Sequence, residues 1–160
     1  MADIIQKKIT DNIVAALQNI TTGNGYTFTA GAVEQERSVL IVNGRFPFVE
    51  VAGPIGSVDT GNQTQGDQHM LEYTITYLDK LNDTDVDNDD PLPEQVANVY
   101  GDIHKAMMVD HTRGGNAVMT RLVDYSYTNY TVEDSGEHFE VYMVFEIQSF
   151  IDSFDMTQIG

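Results

Sequence analysis

Two segments of the chain repeat apolar side chains every three or four residues. In residues 3–20 this spacing predicts an amphipathic helix that stops at the sequence TTGNG. In residues 91–110 the same spacing predicts a second helix, whose first turn accommodates Pro93. The apolar positions are Ile5, Ile9, Ile13, Leu17 and Ile20 in the first helix and Val96, Val99, Ile103 and Met107 in the second.

Other segments alternate apolar and polar residues, which is the pattern of a half-buried strand. The clearest is 67–80, where Leu71, Tyr73, Ile75 and Tyr77 share one face. Shorter strands are predicted at 26–36, 38–42 and 46–54, and an antiparallel hairpin at 117–131 and 138–150. Long loops are predicted at 54–66 and 82–91.

The order of these elements predicts the fold class. A helix, three or four strands, a second helix and two final strands favour an α+β fold. We expect a mixed, mainly antiparallel sheet of about four to six strands, with two helices packed on one face. The length of 160 residues predicts a single domain, 1–160.

The charge balance excludes several kinds of partner. Against 25 acidic residues stand 8 basic ones, for a net charge of −17. Such a surface repels nucleic acid phosphates and anionic lipid. The chain has no cysteine, no apolar run typical of a signal peptide and no stretch near the ~20 apolar residues of a membrane span. A protein made in a cytoplasm, without membrane contact, is therefore expected.

The sequence DTDVDNDDPLPE, residues 83–94, resembles a calcium-binding loop. Asp83, Asp85, Asp87 and Glu94 occupy positions 1, 3, 5 and 12 of the EF-hand pattern, and Asp89 occupies position 7. However, position 8 is Asp90 where an apolar residue is usual, and the loop follows a predicted strand rather than a helix. The segment is interpreted as an acidic strand-to-helix connection, with a loose calcium or other cation site as the alternative.

No local signature of catalysis is present. His69, His104, His111 and His138 show neither HxH nor HExxH spacing, and the chain contains neither a GxSxG motif nor a cysteine nucleophile. A non-enzymatic protein is therefore expected.

Two further features bear on the ends of elements and on surfaces. Gly114 or Gly115 is predicted to take a left-handed position that stops the second helix. Tyr125 and Tyr127 are predicted to share a strand face, either as part of an interface or as ordinary sheet packing.

Three segments together resemble the tail terminator proteins of tailed bacteriophages, also called tail completion or minor tail proteins. They are VYGDIHKAMMVDHTRGGNAVMTRLV (99–123), RFPFVEVAGP (45–54) and HFEVYMVFEIQSFIDSFD (138–155). The turn departs from the family pattern, since Arg113 stands where Leu is common before the paired glycines. The acidic insert at 83–90 is also longer than the family pattern suggests.

The resemblance implies a virion protein that is assembled in the host cytoplasm and located at the head-proximal end of the tail. It implies a ring, with six copies expected, that caps the tail tube, joins it to a neck or connector protein and lets DNA pass without specific binding. Another neck or tail-tube protein is the near alternative, and a small cation-binding module is the distant one. The interface residues expected are Asp110, His111, Arg113, Gly114 and Gly115, with Arg113 suited to a salt link with a neighbouring subunit.

Overall fold

A computed structural model describes residues 4–35, 46–59, 67–81, 92–133, 136–151 and 159. Two helices and five strands follow one another in the predicted order, which confirms the α+β class. A short 3-10 turn at Thr22–Asn24 follows the first helix. The elements are α1 (Ile5–Gln18), β1 (Ala32–Gln35), β2 (Phe48–Asp59), β3 (Asp67–Lys80), α2 (Leu92–Val109), β4 (Met119–Val132) and β5 (Gly136–Ile151).

The five strands form one sheet in the order β1-β2-β3-β5-β4. β1 and β2 are parallel, whereas the other three neighbouring pairs are antiparallel, so the sheet is mixed and mainly antiparallel as predicted. β3 and β5 pair without interruption from Asp67↔Ile151 to Lys80↔His138. β4 and β5 form the predicted hairpin, which closes at Val132↔Gly136.

Both helices pack on one face of this sheet. The register places Tyr73 opposite Phe145 and Tyr77 opposite Val141, so the large side chains of β3 and β5 point to the same side. The apolar faces of α1 and α2 cover them and form one continuous core. Its fully buried members include Ile9, Ile13 and Leu17 from α1, Ile103 and Met107 from α2, and Tyr73, Ile75, Val141, Met143, Phe145 and Ile147 from the sheet.

A polar contact between α1 and β3 lies inside this apolar layer. The hydroxyls of Thr10 and Tyr73 lie 2.8 Å apart, and the Thr10 hydroxyl also donates to the carbonyl of Gln6 at 2.9 Å. Burial raises the pKa of Tyr73 to about 12, although the hydrogen bond with Thr10 acts in the opposite direction. The contact fixes α1 against β3 without leaving a buried hydroxyl unpaired.

The structure shortens one predicted strand and replaces part of one predicted loop. Of the strand expected at 26–36, Ala32–Gln35 is strand. The irregular residues before it are held by Asp102 of α2, whose Oδ2 accepts hydrogen bonds from both the amide and the hydroxyl of Thr27 at 2.6 Å. Because the Thr27 amide is bonded to this carboxylate, it is not available to a strand ladder.

β2 continues to Asp59, through the first residues of the loop expected at 54–66. It continues because a bulge between Ala52 and Ile55 absorbs Gly53, whose φ is +124° and whose added Cβ would lie 2.7 Å from the Glu72 carbonyl oxygen. The strand expected at 38–42, the rest of that loop at 60–66 and the loop at 82–91 fall outside the described residues.

Truncation of a buried isoleucine should lower the free energy of unfolding much more than truncation of an exposed one. Ile13→Ala should lower the free energy of unfolding by about 2–5 kcal/mol, because Ile13 is completely buried between α1 and the sheet. Ile4→Ala makes the same chemical change where the side chain is 45% exposed, and should cost about 0.5 kcal/mol or less. Urea unfolding measures both; equal losses would contradict this packing.

Candidate assembly surfaces

The turn that follows α2 is organised by one carboxylate. The Oδ2 of Asp110 accepts hydrogen bonds from the Gly114 amide at 2.6 Å and from the Asn12 side chain at 3.1 Å. Its Oδ1 accepts from the amide of Thr112 at 3.2 Å and from its hydroxyl at 2.9 Å. Partial burial raises the pKa of Asp110, but these bonds and the charge of Arg113 outweigh burial and hold it below the ordinary value. The turn is thereby tied to α1.

Three successive residues of this turn have left-handed backbone. The φ angles are +50° at Arg113, +68° at Gly114 and +81° at Gly115. Both glycines therefore adopt the conformation predicted for them, although α2 itself ends earlier, at Val109. The left-handed arginine was not predicted, since such a conformation disfavours a residue with a Cβ.

Arg113 is enclosed by the protein instead of projecting from it. Its side chain is fully buried, its Nε donates to the Thr120 hydroxyl and its Nη1 donates to the Asn12 side-chain oxygen, both at 3.2 Å. Burial lowers the pKa of this guanidinium, and the nearby Asp110 carboxylate opposes that effect. Arg113 thus braces α1, the turn and the start of β4 against one another.

This placement changes the interface predicted from the sequence. The buried Arg113 is committed to contacts within the chain, so the structure does not offer it for the salt link expected with a neighbouring subunit. Asp110 is likewise engaged inside the turn. His111, Gly114 and Gly115 remain exposed on the outer side of the same turn.

The two tyrosines that the sequence suggested as an interface lie on the β4–β5 hairpin, and they are the most exposed aromatic side chains of the described residues. Tyr125 and Tyr127 lie opposite Met143 and Val141, so they share the helix-covered face of the sheet, as predicted. The helices do not reach over them, and they remain 55% and 50% exposed. The Tyr125 ring lies 4.8 Å from the ring of Tyr100, which links this aromatic surface to α2.

Tyr130 serves a different purpose on the opposite face. Its ring stacks on His138 with centroids 5.9 Å apart, and its hydroxyl donates to Glu140 at 3.3 Å. Phe46 contacts the same imidazole, at 5.4 Å between centroids. The third tyrosine of the strand therefore helps to bury His138 and Glu140, which the sequence pattern alone did not indicate.

The sheet face opposite the helices is acidic. Among the described side chains, the register places six carboxylates on it against two cationic side chains, Lys80 and Arg121. Arg121 already forms an ion pair with a carboxylate of that face. The six acidic residues are Glu34, Glu50, Glu72, Asp124, Glu140 and Glu146.

A small pocket opens where the segment before β1 meets the start of α2. It has a volume of about 200 Å³ and is lined by rings of Phe28, Tyr77 and Phe139 together with Asp79. The Tyr77 hydroxyl donates to Asp79 at 2.8 Å, and burial raises the pKa of that carboxyl above its ordinary value. The Asp79 carboxyl already accepts a hydrogen bond from within the chain. The other described lining residues do not indicate a particular ligand.

The acidic segment predicted as a cation loop is bounded by β3 and α2. The described chain leaves a strand at Lys80 and re-enters a helix at Leu92, which agrees with a strand-to-helix connection and lacks the two helices of an EF-hand. Asp83, Asp85, Asp87 and Asp89 lie outside the described residues. Glu94 lies in the first turn of α2, where a carboxylate interacts favourably with the helix dipole. Within the described ranges, no group of three or more His, Cys, Asp or Glu side chains is placed to hold a metal ion.

Comparisons with known proteins identify no family for this chain. No family model matches it, and no curated protein matches it. Among solved structures, it is similar to a chain of the structure titled "Virion of native gene transfer agent (GTA) particle", with 12% identity and a TM-score of 0.41. The similarity covers 91% of this chain and 90% of the other. At that TM-score the likeness is no ground for assigning a function. Neither of the two described helices is long and apolar enough to cross a membrane.

Removal of the buried arginine should cost far more than removal of an exposed one. Arg113→Ala should lower the free energy of unfolding by about 3–5 kcal/mol, because it deletes a buried cation and leaves its partners Asn12 and Thr120 without a donor. Arg121→Ala removes an exposed ion pair and should cost about 1 kcal/mol or less. Denaturant unfolding compares the two, and similar losses would refute the brace.

The acidic segment should not form a specific calcium site. Titration calorimetry of the wild type should give no saturable heat up to about millimolar calcium. Asp85→Ala should also give no saturable heat, because without a specific calcium site the loss of one carboxylate changes nothing that the titration measures. Saturable heat in the wild type that disappears in Asp85→Ala would instead establish the cation-binding alternative.

Proposed function

We propose that this chain is a structural protein of a tailed-phage-like virion and acts as its tail terminator. In this role a ring, with six copies expected, caps the end of the tail tube, stops tube polymerisation and offers a surface to the neck or connector protein. The protein is assigned no catalytic step and no cofactor. Its place is the head-proximal end of the tail, after assembly in the host cytoplasm.

One structural observation carries the proposal. Two of the three segments that resemble the tail terminators, 99–123 and the described part of 138–155, fold into one unit, formed by α2, the turn from Asp110 to Asn116 and the β4–β5 hairpin. Arg113 and Asp110 fasten this unit to α1, and β5 joins it to β3 along the whole ladder, so the hairpin is part of a rigid sheet with β4 at its edge. An exposed strand on a rigid sheet suits a protein whose task is to present surfaces to other subunits.

Ring closure supplies the capping mechanism. A head-to-tail contact between copies closes into a ring when its rotation divides the circle, and a closed ring leaves no free subunit edge to extend. One face of such a ring would bind the last layer of tube subunits. The opposite face would not reproduce the tube interface, so no further tube subunit could bind there. Growth of the tube then ends for geometric reasons, without energy input.

The acidic sheet face suits a channel through which DNA travels. With six described carboxylates against two cations, that face repels phosphates at close range. At physiological salt the field decays over about 8 Å, so the repulsion acts only on DNA that approaches the wall. DNA would therefore slide past the wall without sticking to it.

Tube growth in the presence of the purified chain tests this function. Tail tube protein from the same virion should polymerise into shorter tubes when the chain is added, and electron microscopy should show extra density at one tube end only. Native mass measurement should give a complex near six times the 17.8 kDa chain, alone or on the tube. Tubes of unchanged length, with the chain remaining a monomer that never binds them, would defeat the proposal. Incorporation along the whole tube would favour a tube subunit instead.

A further inference from the structure

β4 forms one edge of the sheet and is unusually long and uncharged for an exposed edge. Among the described strands it pairs with β5 alone. Its last eight residues, from Tyr125 to Val132, read YSYTNYTV and contain no charged side chain, in a chain whose net charge is −17. All eight are exposed.

This edge lacks the features that keep exposed strands from pairing. Natural proteins protect such edges with lysine, proline, inward charges or a short strand. Residues 125–132 contain no lysine and no proline, and their Tyr, Thr and Val side chains favour extended backbone. The bulge between Leu122 and Asp124 lies before the exposed run and leaves it regular. The strand is thus suited to accept another strand.

We propose that this edge binds a second copy of the chain, by pairing with β1 at the opposite edge of the neighbour's sheet. The inference rests on the proposed ring, for which it names the contact between copies. Copies that each carry a charge of −17 repel one another, so they meet most favourably at edges with few carboxylates: the exposed run of β4 has none, and β1 has one, Glu34. A basic partner would instead be drawn to the acidic face of the sheet.

The topology gives the direction of the contact. β4 is antiparallel to β5, β5 to β3 and β3 to β2, and β1 is parallel to β2. β4 therefore runs opposite to β1. Copies related by a rotation axis along the strands place β4 of one beside β1 of the next in antiparallel orientation. The ladder also aligns Tyr125 with Gln35 across the sheet, on the same face.

The aromatic surface next to the edge would strengthen such a contact. Tyr125 and Tyr127 expose their rings on the helix side of the strand, and Tyr100 supports the first of them from α2. Tyrosines offer large contact area with few rotatable bonds, so little freedom is lost on binding. They would pack against side chains of the neighbouring copy on the same side of the paired strands.

A charge placed on this edge tests the proposal. Asn129→Glu should weaken self-association roughly tenfold or more in sedimentation velocity, because it introduces a carboxylate into a contact between like-charged copies. Asn98→Glu makes the same change on the exposed surface of α2 and should leave self-association unchanged. Circular dichroism should show that both variants stay folded. Equal association of wild type and Asn129→Glu, or a wild type that never associates, would overturn the proposal.

Cross-linking tests the direction of the contact. Since the chain has no cysteine, Tyr125→Cys combined with Gln35→Cys should give a ladder of linked copies with a short thiol cross-linker. Tyr125→Cys alone should give none, because successive copies of that position are about 24 Å apart across a five-stranded sheet. Dimers from Tyr125→Cys alone would show a two-fold β4–β4 contact and overturn the pairing with β1.

These results separate this inference from the tail function. If the chain shortens tail tubes but Asn129→Glu does not change its self-association, the proposed function is supported and the β4 contact is refuted. A chain that associates through β4 and β1 but leaves tube growth unchanged supports the contact and refutes the terminator role.

Discussion

The uninterrupted pairing of β3 with β5 is the constraint on which the rest of the molecule depends. Fourteen consecutive partners, from Asp67↔Ile151 to Lys80↔His138, fix which side chains point to each face. A slip of one residue would send Tyr73, Ile75, Met143 and Phe145 to the opposite side. Because large apolar residues recur at every second position of both central strands, one register places Tyr73, Ile75, Met143 and Phe145 on the same face at once. The helices then have a single apolar face on which to pack.

The buried Arg113 follows from the same arrangement. With two helices on one sheet face, the turn from α2 to β4 lies against the middle of α1, where Asn12 contacts both Asp110 and Arg113. The turn has three successive left-handed residues, and side-chain contacts with α1 are what hold it there. Asp110 accepts hydrogen bonds from amides of the turn, while Arg113 donates to Asn12 of α1 and to Thr120 of β4. Desolvation of this charge offsets much of the attraction, but its removal is costly because Asn12 and Thr120 then lose their donor.

Much of the fold could be predicted because alternation and helical spacing are local properties. β3 was predicted with its observed bounds, and the core positions of α1 agree residue by residue. The failures have specific physical causes. The residues before β1 bond to Asp102, a partner 75 positions away from Thr27, and no pattern in 26–36 reveals it. β2 passes 54–59 as a strand because a bulge accommodates Gly53 and Pro54, two residues that normally indicate a loop.

The candidate surfaces were harder to predict than the fold. Arginine is usually exposed, so the sequence favoured a surface role for Arg113, and only its neighbours in space show that it is enclosed. Tyr125 and Tyr127 were correctly placed on one face. However, whether a tyrosine on that face is covered depends on where the helices end, and the local pattern does not contain that information. The exposure of a side chain depends on how all the elements pack together. Interface residues are therefore hard to predict from the sequence of one strand.

The distribution of charge connects the fold to assembly. Carboxylates crowd the sheet face that the helices leave uncovered, whereas the exposed run of β4 carries none. If the same acidic residues were spread over the edge, each added copy would meet like charges at contact distance, where screening by salt is weakest. Keeping the edge neutral removes this short-range repulsion, and the repulsion that remains between more distant carboxylates is screened. In the proposed contact, a strongly acidic chain would bind its own copies through this edge while the rest of its surface repels polyanions.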